Sequence, residues 1–307
     1  MVGEEAQGTA RIVTPHRFSH FIAIDWSGAV GARQKGIAVA LAVGEGGPPV
    51  LVRPGHVWSR EDVLAMLRED LPGDAIVGLD LGISLPFADC GAFFPGWQES
   101  PVDARTLWEL VDDICARDAH LGATSFVDHP EASRYFRRHG GREGALFRCD
   151  NAEHGRGRFR LAEAVQAAMG CKPYSNFNLV GAAQVGKSSL TGMRMLHRLD
   201  GRVPVWPVDP LSATGPVIVE IYTTLAAIAA GRSAGRAKIT DRTELDKALV
   251  ALGSPPIGSS GPIDDHSADA LLTAAWLRAN SGRPELWRPA SITAHIARTE
   301  GWTFGAI

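Results

Sequence analysis

Carboxylates end apolar segments at three places along the chain. Asp25 ends HFIAID, Asp80 ends AIVGLD and Glu220 ends VIVE. Each segment has the length and composition of a strand that is buried on both faces. Because the carboxyl ends of neighbouring parallel strands meet at one edge of a sheet, we expect Asp25 and Asp80 to lie side by side.

A further acidic cluster opens a predicted helix near the C-terminus. Asp265 and Asp269 are four residues apart and share a helix face, and His266 precedes Asp269 by three residues. Asp264 has the position of the helix cap. Asp269 lies one turn inside the helix, on the side that would pack on the sheet, where a buried carboxylate needs a cation or a proton to offset its charge.

Carboxylates that converge with few neighbouring lysines or arginines are typical of sites for hard divalent cations. Mg²⁺ and Mn²⁺ prefer oxygen ligands and keep several waters, which leaves room for a phosphate. Two such ions about 3.5–4 Å apart can activate an attacking water and stabilise the leaving oxygen of a phosphodiester. The acids therefore predict a Mg²⁺ or Mn²⁺ site.

The elements that would position these acids follow a regular order. Apolar segments at 36–43 and 50–52, joined by Gly-Gly-Pro-Pro, predict a β-meander after the first strand. Ser59 has the position of an N-cap, and Leu71-Pro72-Gly73 ends the helix that follows it. The pattern predicts an α/β fold with a five-stranded mixed sheet flanked by helices. After the VIVE strand, helices are predicted up to residue 230, over 241–252 and over 264–280.

The middle of the chain differs from these segments, because its helical patterns are broken by glycine and proline. We interpret residues 89–213 as a long, mostly helical insertion into a core formed by 18–88 and 214–307, with residues 1–17 as a flexible leader. Helices are predicted within the insertion at 103–118, 129–139, 160–169 and 188–199.

Composition excludes several classes of protein. A chain that is 45% hydrophobic and 21% charged is typical of a globular protein and not of a disordered one. No segment approaches the roughly 18 apolar residues that a membrane span needs. A net charge of -3 excludes a globally basic nucleic-acid coat but permits a local basic patch. The four cysteines include no C-x-x-C pair, which predicts a reduced, cytoplasmic protein.

The order of elements resembles the RNase H-like superfamily over residues 18–88 and 214–280. The segments that carry the resemblance are FIAIDWSGA, AIVGLDLGISLP, VIVEIY and DDHSADALLTAAWL. Within the superfamily, the chain is most similar to domain-of-unknown-function family number 429, whose members are predicted RNase H-fold nucleases. The last segment is also similar to RuvC-type nucleases, in which a His or Asp precedes the last metal-binding Asp by three residues.

The resemblance implies a nuclease that cleaves DNA or RNA with two metal ions. It makes Asp25 the first-strand acid that bridges the ions. Asp269 would hold one ion, and Asp80 and Glu220 compete to hold the other, because VIVEIY looks like the RuvC second-acid segment. Asp265 or His266 would assist ligation or orient water.

A second motif competes for the function. Residues 181–188 match G-x-x-x-x-G-K-[ST], a loop that binds nucleotide phosphates when it follows a buried strand. Residues 175–180 are a poor strand, so we interpret the motif as a Gly-rich loop and basic helix in which Lys187 contacts substrate phosphate. A P-loop or actin-like ATPase or phosphotransferase is the alternative function, because IDWSGA and LDLGIS loosely resemble actin-like loops. A catalytically inactive binding protein is the third.

Basic residues are concentrated in one segment. Residues 134–160 contain eight arginines, with three phenylalanines between them. Contact with a nucleic-acid backbone is one interpretation, and a solvated arginine-rich loop is the other. Lys238 is a further basic candidate, with ordinary surface charge as its alternative.

Overall fold

Six apolar segments form the strands of one mixed β-sheet. The computed structural model describes residues 17–44, 46–138, 140, 142–149, 157–180, 185–236 and 238–307. The strands are β1 (His20–Asp25), β2 (Ala38–Val43), β3 (Val50–Leu51), β4 (Ala75–Asp80), β5 (Val205–Trp206) and β6 (Val217–Glu220). Their order in the sheet is β3-β2-β1-β4-β6-β5.

The register of the central strands places the acidic strand ends at one edge. Strand β1 pairs antiparallel with β2 and parallel with β4, and the Cα atoms of Asp25 and Asp80 are direct partners in the parallel pair. Strand β6 pairs parallel with both β4 and β5, with Glu220 opposite Leu79. The predicted juxtaposition of Asp25 and Asp80 is therefore confirmed.

The central strands are apolar without interruption because both of their faces are covered. Ile24 and Leu79 project into an apolar cluster that includes helix side chains on one face of the sheet. Ala23 and Ile76 project into a second cluster on the other face. All four residues are fully buried. Burial on both faces removes the alternation of apolar and polar residues that marks a half-exposed strand.

Helices cover both faces of the sheet. In the described ranges the helices are α1 (Arg60–Glu69), α2 (Ala104–Ile114), α3 (Thr124–Asp128), α4 (Leu161–Ala168), α5 (Val185–Arg198), α6 (Thr223–Ala229), α7 (Arg242–Ala251), α8 (Asp265–Asn280), α9 (Pro284–Trp287) and α10 (Ala294–Thr299). The first cluster contains side chains from α1, α2 and α5, and the second contains side chains from α6, α7 and α8. The longest of them, α8, packs across β1 and β2. Across the described ranges, no helix is long and apolar enough to cross a membrane.

Two sequence predictions about the fold need correction. The sheet has six strands and not five, because β5 lies within residues 89–213 and joins the sheet beside β6. A strand of two residues is too short to produce a periodic pattern in the sequence. Residues 129–139 contain a 3₁₀ turn at Ala132–Tyr135 in place of the predicted helix. Of the predicted leader, residues 1–16 lie outside the described residues.

Helix α5 packs directly on backbone near the ends of β1 and β4. A Cβ atom at Gly28, which follows β1, would lie 2.4 Å from the carbonyl carbon of Lys187. A Cβ atom at Gly186, in the first turn of α5, would lie 2.5 Å from the carbonyl oxygen of Asn176. Both distances are shorter than any van der Waals contact. Gly186 is thus required by packing, whatever else the G-x-x-x-x-G-K-S pattern does.

We expect Gly186→Ala to destabilise the protein by about 1–3 kcal/mol, because the added methyl group would overlap the Asn176 carbonyl. Helix propensity alone predicts the opposite sign, since alanine is favoured over glycine by about 1 kcal/mol inside a helix. The measurement is urea denaturation. Gly73→Ala is the matched control, because nothing lies within 4 Å of its added Cβ atom. A Gly186→Ala variant as stable as the wild type would contradict the packing role.

Candidate metal centre

Three carboxylates approach one another where β1, β4 and α8 meet. Asp25 and Asp80 end adjacent parallel strands in register, and such strands lie about 4.8 Å apart. Asp269 lies in the second turn of α8, which packs across β1. Its charge acts on Asp80, and the charge of Asp25 acts on both of the others. The structure therefore brings together three of the acids that the sequence singled out.

Burial is the main cause that raises the pKa of all three acids, and repulsion from neighbouring carboxylates adds to it. Burial raises the pKa of Asp80 well above its usual value, and the charges of Asp25 and Asp269 raise it further. Burial, with the charges of Asp25 and Asp265, raises the pKa of Asp269 to about 7. Burial also raises the pKa of Asp25, although a hydrogen bond from His266 opposes this effect. The cluster would gain stability from an added cation.

His266 and Asp265 form the rim of the cluster. The His266 Nδ1 atom lies 3.0 Å from the Asp25 Oδ2 atom. This hydrogen bond raises the pKa of His266 to about 9, against the effect of burial, so the ring is an imidazolium that donates to Asp25 at neutral pH. Asp265 pairs with the ammonium group of Lys238. Both predicted residues lie beside the acids, and each is engaged in an ion pair.

Glu220 differs from Asp80 in having a cationic partner and four hydrogen bonds to its carboxylate. Its Oε1 accepts from Arg160 Nη2 at 2.6 Å and from the hydroxyl of Thr303. Its Oε2 accepts from Arg160 Nη1 at 2.8 Å and from a backbone amide just after β4 at 2.8 Å. Asp80 receives a side-chain hydrogen bond from Thr223 at 3.4 Å. Of the two acids that compete for the second metal position, the geometry favours Asp80.

Two arginines of the basic segment are internal and do not face solvent. Arg158 is 1% exposed and donates two hydrogen bonds to Asp89, at 2.8 and 2.6 Å. Arg160 is 1% exposed and binds Glu163 as well as Glu220. For these two residues, the interpretations as a nucleic-acid contact and as a solvated loop are both wrong. Local ion pairs engage three others, namely Arg134 with Glu131, Arg138 with Asp128 and Arg148 with Glu143, whereas Arg156 lies outside the described residues.

Sequence patterns did not predict the ion-pair network around Arg160. The Arg160 guanidinium also donates to the backbone carbonyl of Glu300, 140 residues away along the chain. The Glu300 carboxylate in turn accepts from the backbone amides of Phe87, Ala88 and Leu161. These partners come from separate segments with no shared periodicity. One signal in the sequence could have indicated it: Glu220 ends a buried strand, and a buried carboxylate needs a nearby cation or proton.

The acids open onto a cleft of about 490 Å³. Lys187 from the first turn of α5 and Lys238 line this cleft together with the three acids. Lys187 therefore lies at the same cleft as the acids, and its contact with substrate phosphate stays a prediction. Residues 175–180 form turns and an isolated bridge and no strand, so they do not supply the strand that a P-loop needs. Residues 181–184 of the motif lie outside the described residues.

The donor chemistry of the cleft fits Mg²⁺ or Mn²⁺. Within the described ranges, no group of three or more His, Cys, Asp or Glu side chains is already placed to hold one ion. Magnesium sites commonly use one or two carboxylates and complete their coordination with water and substrate phosphate. Asp25 and Asp80, adjacent in register on an open cleft, can supply such a pair of carboxylates.

We expect Asp269→Asn to stabilise the protein by about 1–3 kcal/mol at pH 8 in buffer that contains a chelator. A folded-state pKa of about 7, against about 3.9 in the unfolded chain, means that the wild type loses stability as the pH rises from 4 to 7. The gain should therefore disappear near pH 4. Urea denaturation at both pH values measures it.

The control for this experiment is Asp113→Asn, which removes an exposed carboxylate from α2 and should leave stability unchanged at either pH. A loss of stability in Asp269→Asn at pH 8 would show that the Asp269 carboxylate is balanced in the metal-free protein.

Comparisons with known proteins returned no match, whether to a family model, to a curated protein or to a solved structure. The interpretation of the cleft therefore rests on its own geometry and charge.

Proposed function

We propose that this protein is a Mg²⁺- or Mn²⁺-dependent nuclease that hydrolyses phosphodiester bonds. The observation that carries the proposal is the in-register pair Asp25 and Asp80, joined by Asp269 in an open cleft where burial and mutual repulsion raise the pKa of Asp80 and Asp269. The meander of β1 to β3, the helix α1 and the parallel strand β4 also agree with the RNase H-like fold that the resemblance implies.

Each residue of the cleft has a role in this proposal. Asp25 and Asp80 would hold the metal, with Asp269 adding negative charge beside it; the metal would supply an activated water and stabilise charge on the phosphate. His266 holds the Asp25 carboxylate in place through its Nδ1–H. Asp265 restrains Lys238 at the rim of the cleft. These contacts position the acids before any substrate arrives.

The cations of the cleft suit a polyanionic substrate. Lys187 and Lys238 line the same cleft as the acids, and lysines beside a metal site can bind the phosphates that flank a scissile bond. The cleft is open to solvent, so a nucleic-acid strand can reach it without having to enter a closed cavity. We infer that the substrate is a nucleic acid, and the experiment below compares DNA with RNA.

The proposal predicts cleavage of at least one substrate among single-stranded, double-stranded and branched DNA and RNA when Mg²⁺ or Mn²⁺ is present. Asp80→Asn should reduce the cleavage rate by at least about 100-fold, because it removes charge that would hold the metal. Asp113→Asn serves as the control and should keep the wild-type rate. Gel-based cleavage assays with matched protein concentrations measure both.

Failure of the wild type to cleave any of these substrates with either metal would overturn the proposal. If the protein instead binds ATP, and Lys187→Ala abolishes that binding, the phosphate-loop alternative becomes the better account of the cleft.

A second substitution separates the two acids that compete for one metal role. We expect Glu220→Gln to destabilise the protein by about 1–3 kcal/mol, since its amide nitrogen would replace a carboxylate oxygen that accepts hydrogen bonds and would leave buried donors unpaired. The folded variant should still bind Mn²⁺ with wild-type affinity, whereas Asp80→Asn should bind it weakly. Electron paramagnetic resonance of free Mn²⁺ measures the binding. Weak binding in folded Glu220→Gln would assign the metal role to Glu220.

A further inference from the structure

Two cysteines that are far apart in the sequence lie in direct contact. The Cys90 Sγ atom lies 3.3 Å from the Cys149 Sγ atom and donates its hydrogen to it. Both residues are partly exposed, whereas Cys115 and Cys171 are buried. The sequence spacing contains no paired motif, so only the fold brings these two sulfurs together. Sulfurs in contact need only small side-chain rotations to reach bonding distance.

The surroundings of the pair favour chemistry at Cys149. Arg158, which is buried, acts on both sulfurs with its positive charge. Burial and the hydrogen bond to Cys149 raise the pKa of Cys90 to about 12, so Cys90 keeps its proton and Cys149 accepts the hydrogen bond. We take the Cys149 sulfur, which accepts this hydrogen bond and is partly exposed, as the attacking group.

We propose that Cys90 and Cys149 form a reversible intramolecular disulfide by exchange with a low-molecular-weight disulfide such as glutathione disulfide. The Cys149 thiolate attacks one sulfur of glutathione disulfide, which forms a mixed disulfide and releases one glutathione thiolate. Cys90 then loses its proton to solvent and attacks the Cys149 sulfur of the mixed disulfide, releasing the second glutathione. The net reaction oxidises two protein thiols and reduces one glutathione disulfide to two glutathione thiols.

The bond would join two segments that already meet around Arg158. Cys90 follows Asp89, which binds the Arg158 guanidinium, and Cys149 follows a segment whose backbone is fixed by the bonds from Gly144 to Phe136 and from Leu146 to Arg134. Both segments are therefore held before oxidation. The disulfide would add a covalent link between the chain that follows β4 and the basic segment, independently of any nuclease activity.

Thiol counting on the native full-length protein tests the proposal. The protein is incubated with excess glutathione disulfide or with reduced glutathione, quenched with acid, denatured and alkylated with a maleimide. Mass spectrometry should show four alkylated cysteines after reduced glutathione and two after glutathione disulfide, without a glutathione adduct. A non-reducing digest should contain one peptide pair linked through Cys90 and Cys149.

Matched variants give the control. Cys115→Ser and Cys171→Ser should each still lose two alkylatable thiols on oxidation, whereas Cys90→Ser and Cys149→Ser should form no intramolecular disulfide. Four alkylatable cysteines in the oxidised wild type, a stable glutathione adduct on Cys149, or a disulfide that uses Cys115 or Cys171 would each overturn the proposal.

Discussion

Burial of two acids side by side, Asp25 and Asp80, is the constraint that the rest of this structure has to accommodate. The parallel pairing of β1 and β4 is continuous from His20 opposite Ala75 up to the two acids. Their backbones therefore cannot move apart without breaking the hydrogen bonds of the two central strands. The apolar clusters on both faces of the sheet stabilise this pairing. The fold thus offsets the free-energy cost of holding both acids out of water at one edge of the sheet.

Two groups of buried acids in the same region show how neighbours decide the role of a carboxylate. Glu163 and Glu220 share the guanidinium of Arg160, and backbone amides and a hydroxyl complete the hydrogen bonding of Glu220. The Glu300 carboxylate accepts from backbone amides and fixes the chain that follows β4. These contacts restrain the backbone next to Asp80. Among the residues that the structure describes, Asp80 has no guanidinium partner of this kind, and that difference separates a structural acid from one open to a ligand.

The sequence predicted those parts of the fold and the site that depend on local patterns. Asp25 and Asp80 were found because uninterrupted apolar segments mark central strands, and Asp269 because helical periodicity places it on the face that packs against the sheet. The buried arginines were missed, since Arg160 and Glu220 are 60 residues apart and share no periodic pattern. The two-residue strand β5 was missed for the same reason, because its pairing with β6 is a purely tertiary interaction.

The G-x-x-x-x-G-K-S pattern illustrates why a motif must be read with its packing. Gly186 satisfies the motif, and it is also the residue that allows the first turn of α5 to contact the Asn176 carbonyl. The same close approach at Gly28 brings the Lys187 backbone against the loop that follows Asp25. Lys187 therefore lines the acidic cleft because of how α5 packs on the sheet edge. The carboxylates of the cleft suit a divalent ion, and the lysine opposite them suits an anionic group. A phosphate bound to a divalent ion combines both.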